Sequence, residues 1–269
     1  MASDLPFHWP KKRSLFGVEL SVTCYSEVVD TVIAAARSGR GGVATFLAVH
    51  GIVSAATDPE FGRRVNACQI VAPDGQPVRW ALNFFHKAGL ADRVYGPQVM
   101  RLVCRRCAEL GLSVFLCGST PRVLAMLAMK LGAMFPDLKI AGMESPPFRP
   151  LSAAENDALC DRINQSGAAV AFIGLGVPRQ ETFADANRNK IRAVQLCVGA
   201  AFDFHAGNKR TAPAFMQRFG LEWLFRLSQE PRRLWKRYLV TNSIFIGLFI
   251  VHALKRLGRR GVAAPGVGA

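Results

Sequence analysis

Metal-binding signatures are absent from this sequence of 269 residues. It contains no Asp-x-Asp, no His-Glu-x-x-His and no cluster of histidines with carboxylates. Divalent cations need such groups of ligands, so we expect no dedicated metal site and no cofactor. A complete G-x-G-x-x-G or phosphate-binding loop is also missing, which excludes the usual glycine-rich nucleotide motifs. Residues 1–13 contain no apolar run, so we expect no secretory signal there.

Cysteines are few and odd in number. The seven cysteines lie mostly within apolar stretches, which predicts buried thiols in a reducing, cytosolic compartment. Cys104 and Cys107 have the C-x-x-C spacing, but no second pair or histidine follows at ligand spacing. Core packing is therefore the expectation, with zinc or redox chemistry as the alternative. Half of the residues are hydrophobic and 20% are charged, which excludes a disordered chain.

Acidic residues are scarce at the C-terminal end. Residues 209–269 contain 12 Lys/Arg and only 2 Asp/Glu, so they carry most of the net charge of +15. The 208 preceding residues hold 22 Lys/Arg against 17 Asp/Glu and are nearly balanced. Such a basic segment predicts an anionic partner, which is a nucleic acid, a phosphorylated substrate or a membrane surface.

The basic segment alternates cations with aromatic residues at helical spacing between residues 221 and 238, and Pro231 predicts the start of a helix there. On a helical wheel Arg232, Arg233, Lys236 and Arg237 share one side, and Leu234, Trp235, Tyr238 and Leu239 share the other. This pattern indicates either a solvated basic face over a packed apolar face or a surface for phosphates and anionic lipids. The apolar run 244–251 is shorter than the about 20 residues of a spanning helix, so we expect an interfacial or packed helix, with shallow insertion open.

The preceding part alternates short apolar runs with helical patterns, which predicts an α/β fold with a Rossmann-like, mostly parallel sheet flanked by helices. We expect a catalytic domain over residues 1–207 and a basic, helical, membrane-binding appendage over residues 208–269. The predicted strands are 43–49, 68–72, 113–117, 170–173 and 194–198. Helices are predicted after the N-cap Asp58, from Pro121 to Met134, after the capping box Ser152–Glu155, and after Pro178. The last residues, 261–269, are predicted to form a flexible end.

The turns that follow these strands are rich in glycine. They contain Gly118, Gly174 with Gly176, and Gly199, and each precedes a helix. Ligands of open α/β sheets bind beyond the carboxyl ends of the strands, and helix N-termini there hold phosphates. We therefore expect nucleotide binding at this edge, although each turn alone is also an ordinary strand-to-helix connection.

Five further polar residues are candidates for the same edge. Asp74 follows an apolar strand directly and precedes a glycine, which exposes it as a general base; the alternative is a loop aspartate that caps the next helix. Arg179 or Gln180 is placed to hold a phosphate or a sugar hydroxyl, whereas the neighbouring Glu181 complements the helix dipole. Asp203 is a candidate for hydroxyl or imide protons, and the lone His50 is either a site residue or structural.

Taken together, the motifs resemble the WecG/TagA/CpsF family of bacterial glycosyltransferases from about Val43 to Tyr238. The resemblance is carried by Asp58–Phe61, Pro73–Gly75, Arg93–Gly96, Gly174–Glu181, Gly199–Asp203, Leu221–Arg226 and Glu230–Arg233. It implies an inverting, metal-independent transfer of a hexose-type sugar, of the glucose or N-acetylmannosamine class, from a UDP donor. The implied acceptor is a polyprenyl-diphosphate-linked sugar at the cytoplasmic face of the inner membrane, in exopolysaccharide or cell-surface polysaccharide synthesis.

The resemblance also implies residue roles. The general base is Asp74, further catalytic residues are Arg93 and Gln180, and the arginines that meet the diphosphates are Arg226, Arg233 and Arg237. We expect peripheral binding to an anionic membrane surface, and a homo-oligomer that holds the tail off the site is compatible with this scheme. Two positions depart from the family pattern: Phe46 and Ala48 replace a Thr-x-Asn, with His50 as a possible substitute, and Gln98 replaces an aspartate.

Two other functions fit part of the sequence. A basic nucleic-acid-binding protein would explain the charge but not the motifs at the sheet edge, so we expect no nucleic-acid partner. An inactive, membrane-bound scaffold of the same fold would explain the altered Thr-x-Asn positions. UDP release from UDP-sugars separates this scaffold from the enzyme.

Overall fold

The computed structural model describes residues 8–261 and contains a single large sheet. The strands are β1 (Lys12–Leu15), β2 (Val18–Ser21), β3 (Gly42–Leu47), β4 (Ile70–Pro73), β5 (Ser113–Gly118), β6 (Lys139–Glu144), β7 (Val170–Gly174) and β8 (Val194–Cys197). Six of them form a sheet in the order β4-β3-β8-β7-β5-β6, and every pairing in it is parallel. The α/β prediction is confirmed. The strands β1 and β2 form a separate antiparallel hairpin.

Helices cover both faces of the sheet. They are α1 (Tyr25–Ser38), α2 (Val49–Thr57), α3 (Pro59–Asn66), α4 (Gln76–His86), α5 (Gly96–Leu110), α6 (Pro121–Met134), α7 (Ala153–Gln165), α8 (Arg179–Ala186), α9 (Ala201–Ala206), α10 (Ala214–Arg218), α11 (Glu222–Gln229) and α12 (Pro231–Gly261). Because successive side chains of a strand point to opposite faces of the sheet, each central strand contributes side chains to two hydrophobic cores, one on each face. Phe172 packs with α1, α5, α6 and α9, and the next residue, Ile173, packs with the hairpin and α2, α3, α7 and α8.

The predicted helix starts are confirmed where a specific cap marks them. The Asp58 carboxylate accepts hydrogen bonds from the backbone N–H groups of Glu60 (3.0 Å) and Phe61 (3.1 Å) at the start of α3. Ser152 and Glu155 form the expected capping box. Capping is local in sequence, so it can be read without the fold.

The predicted strand 43–49 is wrong at its end. It stops at Leu47, and α2 begins at Val49. Valine, isoleucine and alanine continue from the strand through the helix, so composition does not mark the boundary. The strand β6 was not predicted, because it is an edge strand with alternating exposure and no continuous apolar run. The predicted flexible end, apart from the backbone of Gly261, lies outside the described residues.

The helix α12 is the longest element, with 31 residues and a length of roughly 46 Å. Leu234, Thr241 and Phe245 on one side of it are buried, and the Phe245 ring lies 5.4 Å from that of Phe16. The start at Pro231 is confirmed, but the predicted apolar face is wrong in part. Only Leu234 is buried, whereas Trp235 and Leu239 are exposed beside the cations. The helical wheel does not predict this burial, because the position of the rest of the protein decides which side of α12 is packed.

The most apolar 18-residue window within Pro231–Gly258 of α12 has a mean hydropathy of 1.5, and only 6% of that window is buried. By length and composition this helix is able to cross a membrane. In the structure, however, it lies along the body, with its His252 and Phe249 rings against Phe16 and Phe85. Part of the apolar surface of α12 is therefore buried against the rest of the protein, and the other part is exposed to solvent.

Candidate active site

Asp74 lies at the carboxyl end of β4. Its Oδ2 accepts a hydrogen bond from the Gly96 N–H (3.1 Å), and its Oδ1 lies 3.6 Å from Nη1 of Arg93. The residue before α4 is Gly75, with φ +133°, and no side chain caps this helix. The alternative reading of Asp74 as a helix cap is therefore wrong. Its carboxylate faces the turn that leads into α5.

Arg93 joins this carboxylate to the C-terminal segment. Its Nη2 donates to Oε2 of Glu222 (2.6 Å) and to Oε1 of Gln217 (3.1 Å). Its guanidinium carbon lies 4.3 Å above the Tyr95 ring. The guanidinium group, which is almost fully buried, thus contacts a residue of α10, a residue of α11 and Asp74 at once. The C-terminal segment therefore closes over the end of β4.

Gln217, Glu222 and Tyr95 were not identified as site residues from the sequence. One signal was present: Glu222 is one of only two acidic residues after position 208. An isolated carboxylate in a basic segment needs a cationic partner. Nothing in the sequence shows that this partner is Arg93, which is 129 positions away.

Burial dominates the electrostatics of Asp74. The expectation that it has little cover is wrong, because its side chain is only 15% exposed beneath Arg93 and its neighbours. Loss of solvation raises the pKa of Asp74 to about 6; Arg93 opposes this rise and the Glu222 carboxylate adds to it. The group is therefore ionised at neutral pH and takes up a proton just below it. This is the behaviour required of a general base.

Apolar side chains stand where the family pattern has Thr-x-Asn. A Cβ placed on Gly96 would lie 3.3 Å from Cβ of Phe46, and one placed on Gly75 would lie 3.6 Å from Cβ of Ala48. Phe46 and Ala48 thus adjoin the two glycines that flank Asp74 and add to its desolvation. His50, the possible substitute, lies in the first turn of α2, and burial together with the charge of Arg237 lowers its pKa to about 4. It is therefore neutral at physiological pH.

The three predicted arginines of the tail lie around Tyr238. The charges of Arg226, Arg233 and Arg237 each favour ionisation of the Tyr238 hydroxyl, while burial outweighs them and raises its pKa. The Arg226 guanidinium lies 5.8 Å above the Phe204 ring, and its charge also reaches Asp74. Of the three, Arg226 is therefore the one whose charge reaches the carboxylate at the end of β4. Arg233 and Arg237 are exposed to solvent.

The predicted glycines form a second cluster at the ends of β5, β7 and β8, which we call the glycine edge: Gly118, Gly174, Gly176 and Gly199. A Cβ on Gly118 would lie 2.6 Å from the carbonyl carbon of Gly174, and one on Gly174 would lie 2.6 Å from the Phe202 ring. Close packing therefore accounts for these two glycines. Gly176, with φ +79°, has open space around it and leaves room for a ligand.

Gln180 lies beneath the glycine edge and not on its surface. Its Nε2 donates to Oε1 of Glu181 (2.9 Å) and to the Cys197 carbonyl (3.3 Å), and its Oε1 accepts from the Gly176 N–H (3.1 Å). Its side chain thus ties the loop after β7 to β8. Glu181 does not serve the helix dipole at the surface: it is fully buried, and its Oε1 accepts from the Thr45 hydroxyl (2.7 Å).

Two other predicted residues lie to the sides of these clusters. Arg179 donates from Nη2 to the Pro147 carbonyl (3.2 Å), which directs it to the loop between β6 and α7. Asp203 accepts from Nδ2 of Asn208 (2.6 Å) and lies 3.9 Å from Nζ of Lys209. Lys209 in turn contacts Glu230 (3.3 Å), which connects α9 to the start of α12.

The C-x-x-C pair is structural. Cys104 and Cys107 are free, buried thiols in α5, and burial raises the pKa of Cys107 to about 12. The prediction of core packing is confirmed. Across residues 8–261, no three histidine, cysteine, aspartate or glutamate side chains converge as they would around a metal ion.

The glycosyl transferase WecG/TagA/CpsF family matches this sequence over residues 13–259, which include the end of β4, the glycine edge and almost all of α12. Members of this family synthesise cell-surface polysaccharides. The chain therefore belongs to the WecG/TagA/CpsF family of glycosyltransferases.

Proposed function

We propose that this glycosyltransferase moves a hexose-type sugar, of the glucose or N-acetylmannosamine class, from a UDP donor to a polyprenyl-diphosphate-linked sugar, with inversion and without a metal ion. The observation that carries this proposal is the Asp74 carboxylate, held by the Gly96 N–H and Arg93, with its pKa raised to about 6. An inverting transfer is a single displacement, which needs only one carboxylate as its general base.

The reaction follows from this carboxylate. Asp74 accepts the proton of an acceptor hydroxyl, and the oxygen attacks the anomeric carbon of the donor from the side opposite UDP. The bond between that carbon and the β-phosphate oxygen breaks, and its electron pair leaves with UDP. Attack from the opposite side inverts the anomeric configuration. The proton on Asp74 is then lost to solvent.

The leaving diphosphate needs positive charge. Arg226, Arg233 and Arg237 supply it in our proposal, because a guanidinium group matches two phosphate oxygens at once. The end of β8 at the glycine edge lies two strands from the end of β4, which is about 10 Å. A nucleoside diphosphate seated at the glycine edge would therefore present its sugar toward Asp74. Gln180 acts by holding the loop at Gly176 in shape.

The C-terminal segment brings the site to the membrane. Large apolar side chains of α10, α11, α12 and the turn between α10 and α11 are exposed, and we call them the apolar tail surface: Phe215, Phe219, Leu221, Trp223, Leu224, Trp235, Leu239, Val240, Ile244, Ile246, Ile250, Val251, Leu254 and Leu257. Exposed cations accompany them at the start of α12. Aromatic and aliphatic groups beside cations suit an anionic lipid surface. We propose a peripheral position at the cytoplasmic face of the inner membrane, with residues 208–269 as the membrane-binding appendage.

The test is transfer by the full-length chain, because Leu234 and Phe245 of the appendage belong to the buried interior and a truncation would expose it. The protein is incubated with UDP-glucose or UDP-N-acetylmannosamine and a polyprenyl-diphosphate-linked sugar, and UDP and the lipid-linked product are measured. We expect Asp74→Asn to lower turnover by at least about 10²-fold, with EDTA having no effect. Unchanged turnover by this variant would remove Asp74 from the reaction, and no UDP release by the wild type would favour the scaffold.

Stability provides the control for Asp74→Asn. The pKa of Asp74 in the fold, about 6, lies above its ordinary 3.8, so ionisation of this group costs stability as the pH rises from about 4 to 6. Asparagine carries no such cost. We expect the variant to match the wild type at pH 4 and to exceed it by about 1–3 kcal/mol at pH 8, measured by denaturant unfolding. An inactive variant that is also more stable has lost a base and not its fold.

A further inference from the structure

A cleft of ≈ 430 Å³ lies beside Arg93, on the face of the sheet covered by α1, α5 and α9. Its walls include Tyr25, Tyr95, Gln98, Phe204 and Gln217, and we call it the aromatic pocket. Ligand sites range over about 300–1,000 Å³, so this cleft has room for a hexopyranose ring.

Aromatic rings give the pocket apolar walls. The rings of Tyr95 and Phe204 lie 6.5 Å apart with a tilt of 51°. The Tyr25 hydroxyl accepts a hydrogen bond from the Tyr95 N–H (3.0 Å), which fixes one ring against the backbone of the other residue. Such walls favour a ligand with an apolar face and a polar edge. A pyranose has both, since its C–H groups lie on a face and its hydroxyls on the rim.

Polar groups of the pocket lack partners within the protein. Within residues 8–261, the Gln98 amide and the Arg101 guanidinium make no hydrogen bond or ion pair, and the Tyr95 hydroxyl is buried without a partner. His205 is fixed by a bond between its Nε2 and the Pro97 carbonyl (2.8 Å), which leaves Nδ1 as an acceptor. Buried polar groups without partners are costly, so a ligand with several hydroxyls would stabilise them.

The charge of the pocket argues against a phosphate as its occupant. The Asp92 carboxylate and the Arg101 guanidinium both line it, so their charges offset each other. The cations that we assign to the diphosphates, Arg226, Arg233 and Arg237, stand elsewhere, around Tyr238. A neutral polyol fits this lining better than a diphosphate does.

The pocket adjoins the reacting groups through Arg93. Gln217, in its wall, accepts from Nη2 of Arg93 (3.1 Å), and the Arg93 guanidinium covers the Tyr95 ring at 4.3 Å. Nη1 of the same side chain lies 3.6 Å from the Asp74 carboxylate. We infer that the aromatic pocket binds one hexopyranose ring of the substrates, with Gln98 and Arg101 bonding its hydroxyls. This inference rests on the proposed sugar transfer and adds where a sugar is held.

Direct binding of free sugars tests the pocket. Saturation-transfer NMR is recorded on the full-length protein with the methyl glycosides of glucose, N-acetylglucosamine and N-acetylmannosamine, and separately with UDP. We expect Gln98→Ala and Arg101→Ala each to weaken binding of the preferred glycoside about fivefold and to leave UDP binding unchanged. Gln165→Ala, an exposed glutamine at the end of α7, is the matched control and should change neither ligand.

Steady-state kinetics then identify the substrate that supplies the ring. A higher KM for the lipid-linked acceptor assigns the pocket to the acceptor, and a higher KM for the UDP-sugar assigns it to the donor; either result supports the inference. A wild-type protein that binds no glycoside, or folded variants that bind it as the wild type does, would overturn it. Glycoside binding without any transfer would instead contradict the proposed function and leave the pocket in place.

Discussion

At the scale of single residues, the site is organised around one buried carboxylate with two charged neighbours. Arg93 lies 3.6 Å from Asp74 and 2.6 Å from Glu222, so one guanidinium group is shared by two carboxylates. Phe46 and Ala48 supply the apolar surroundings where other polar groups stand in the family pattern. Burial therefore sets the pKa of Asp74, and Glu222 adjusts it.

The pH dependence of turnover should report this adjustment. The Glu222 charge raises the pKa of Asp74, so Glu222→Gln should move the acidic limb of the kcat/KM profile from about pH 6 to lower pH. Glu230→Gln is the matched control: Glu230 lies in the same segment but contacts Lys209 and Arg233, so its removal should leave the limb in place. A limb that does not move with Glu222→Gln would show that Glu222 does not act on the base.

At the scale of elements, α12 has two apolar sides, one buried against the body and one exposed. Leu234 is 1% exposed against the body, and Leu239, just over one turn further on, is 62% exposed. Because both residues are leucines on the same helix, substituting each in turn distinguishes the contribution of core packing from that of an exposed side chain.

Leu234→Ala should lower the free energy of unfolding by about 2–4 kcal/mol, because it leaves a cavity in the core. Leu239→Ala should change it by no more than about 0.5 kcal/mol, because most of its side chain is exposed to solvent. Urea unfolding in detergent-free buffer measures both. Equal losses in the two variants would mean that α12 does not pack as described.

At the scale of the whole molecule, the apolar tail surface and the cations lie on one continuous segment that also closes the site through Glu222. In the proposed function, membrane contact and completion of the site therefore involve the same segment. Arg232 and Lys236 are both exposed, and we propose that their positive charge is attracted by anionic lipids.

Vesicle binding tests this arrangement. The double substitution Trp235→Ser with Leu239→Ser should weaken binding to anionic vesicles at least about tenfold, because two exposed apolar side chains are removed. Met129→Ser, an exposed apolar residue on α6, should have no effect. The wild-type protein should also bind zwitterionic vesicles more weakly than anionic vesicles. A surface that instead joins two copies would give concentration-dependent dimers, by sedimentation, and no vesicle binding.

Much of the fold was readable from local patterns. Buried parallel strands appear as short apolar runs, so β4, β5, β7 and β8 were predicted within two residues at either end. Caps such as Asp58 depend on neighbours three residues away at most. The edge strand β6 and the helix α2 were missed, since neither differs in composition from its surroundings in the way that such patterns require.

The candidate site was predictable in part. Asp74 was a candidate both from its place at the end of a strand and from the resemblance, Arg93 was identified through the resemblance alone, and the structure places the two within ion-pair reach. Gln180 has the predicted position but points into the protein. Gln217 and Glu222 were not predicted, because their contacts with Arg93 depend on where the C-terminal segment packs. Tyr95, two residues from Arg93, was part of a recognised motif but was not identified as a contact of the Arg93 guanidinium.

The sequence by itself determined the parallel α/β sheet, the basic apolar tail and the family, because apolar periodicity, charge and motif order are properties of the chain. The tertiary structure alone decided which side of α12 packs, which carboxylate shares Arg93 and how deeply Asp74 is buried. Those features depend on contacts between residues more than a hundred positions apart, and solvation is set by such contacts and not by neighbours in the chain.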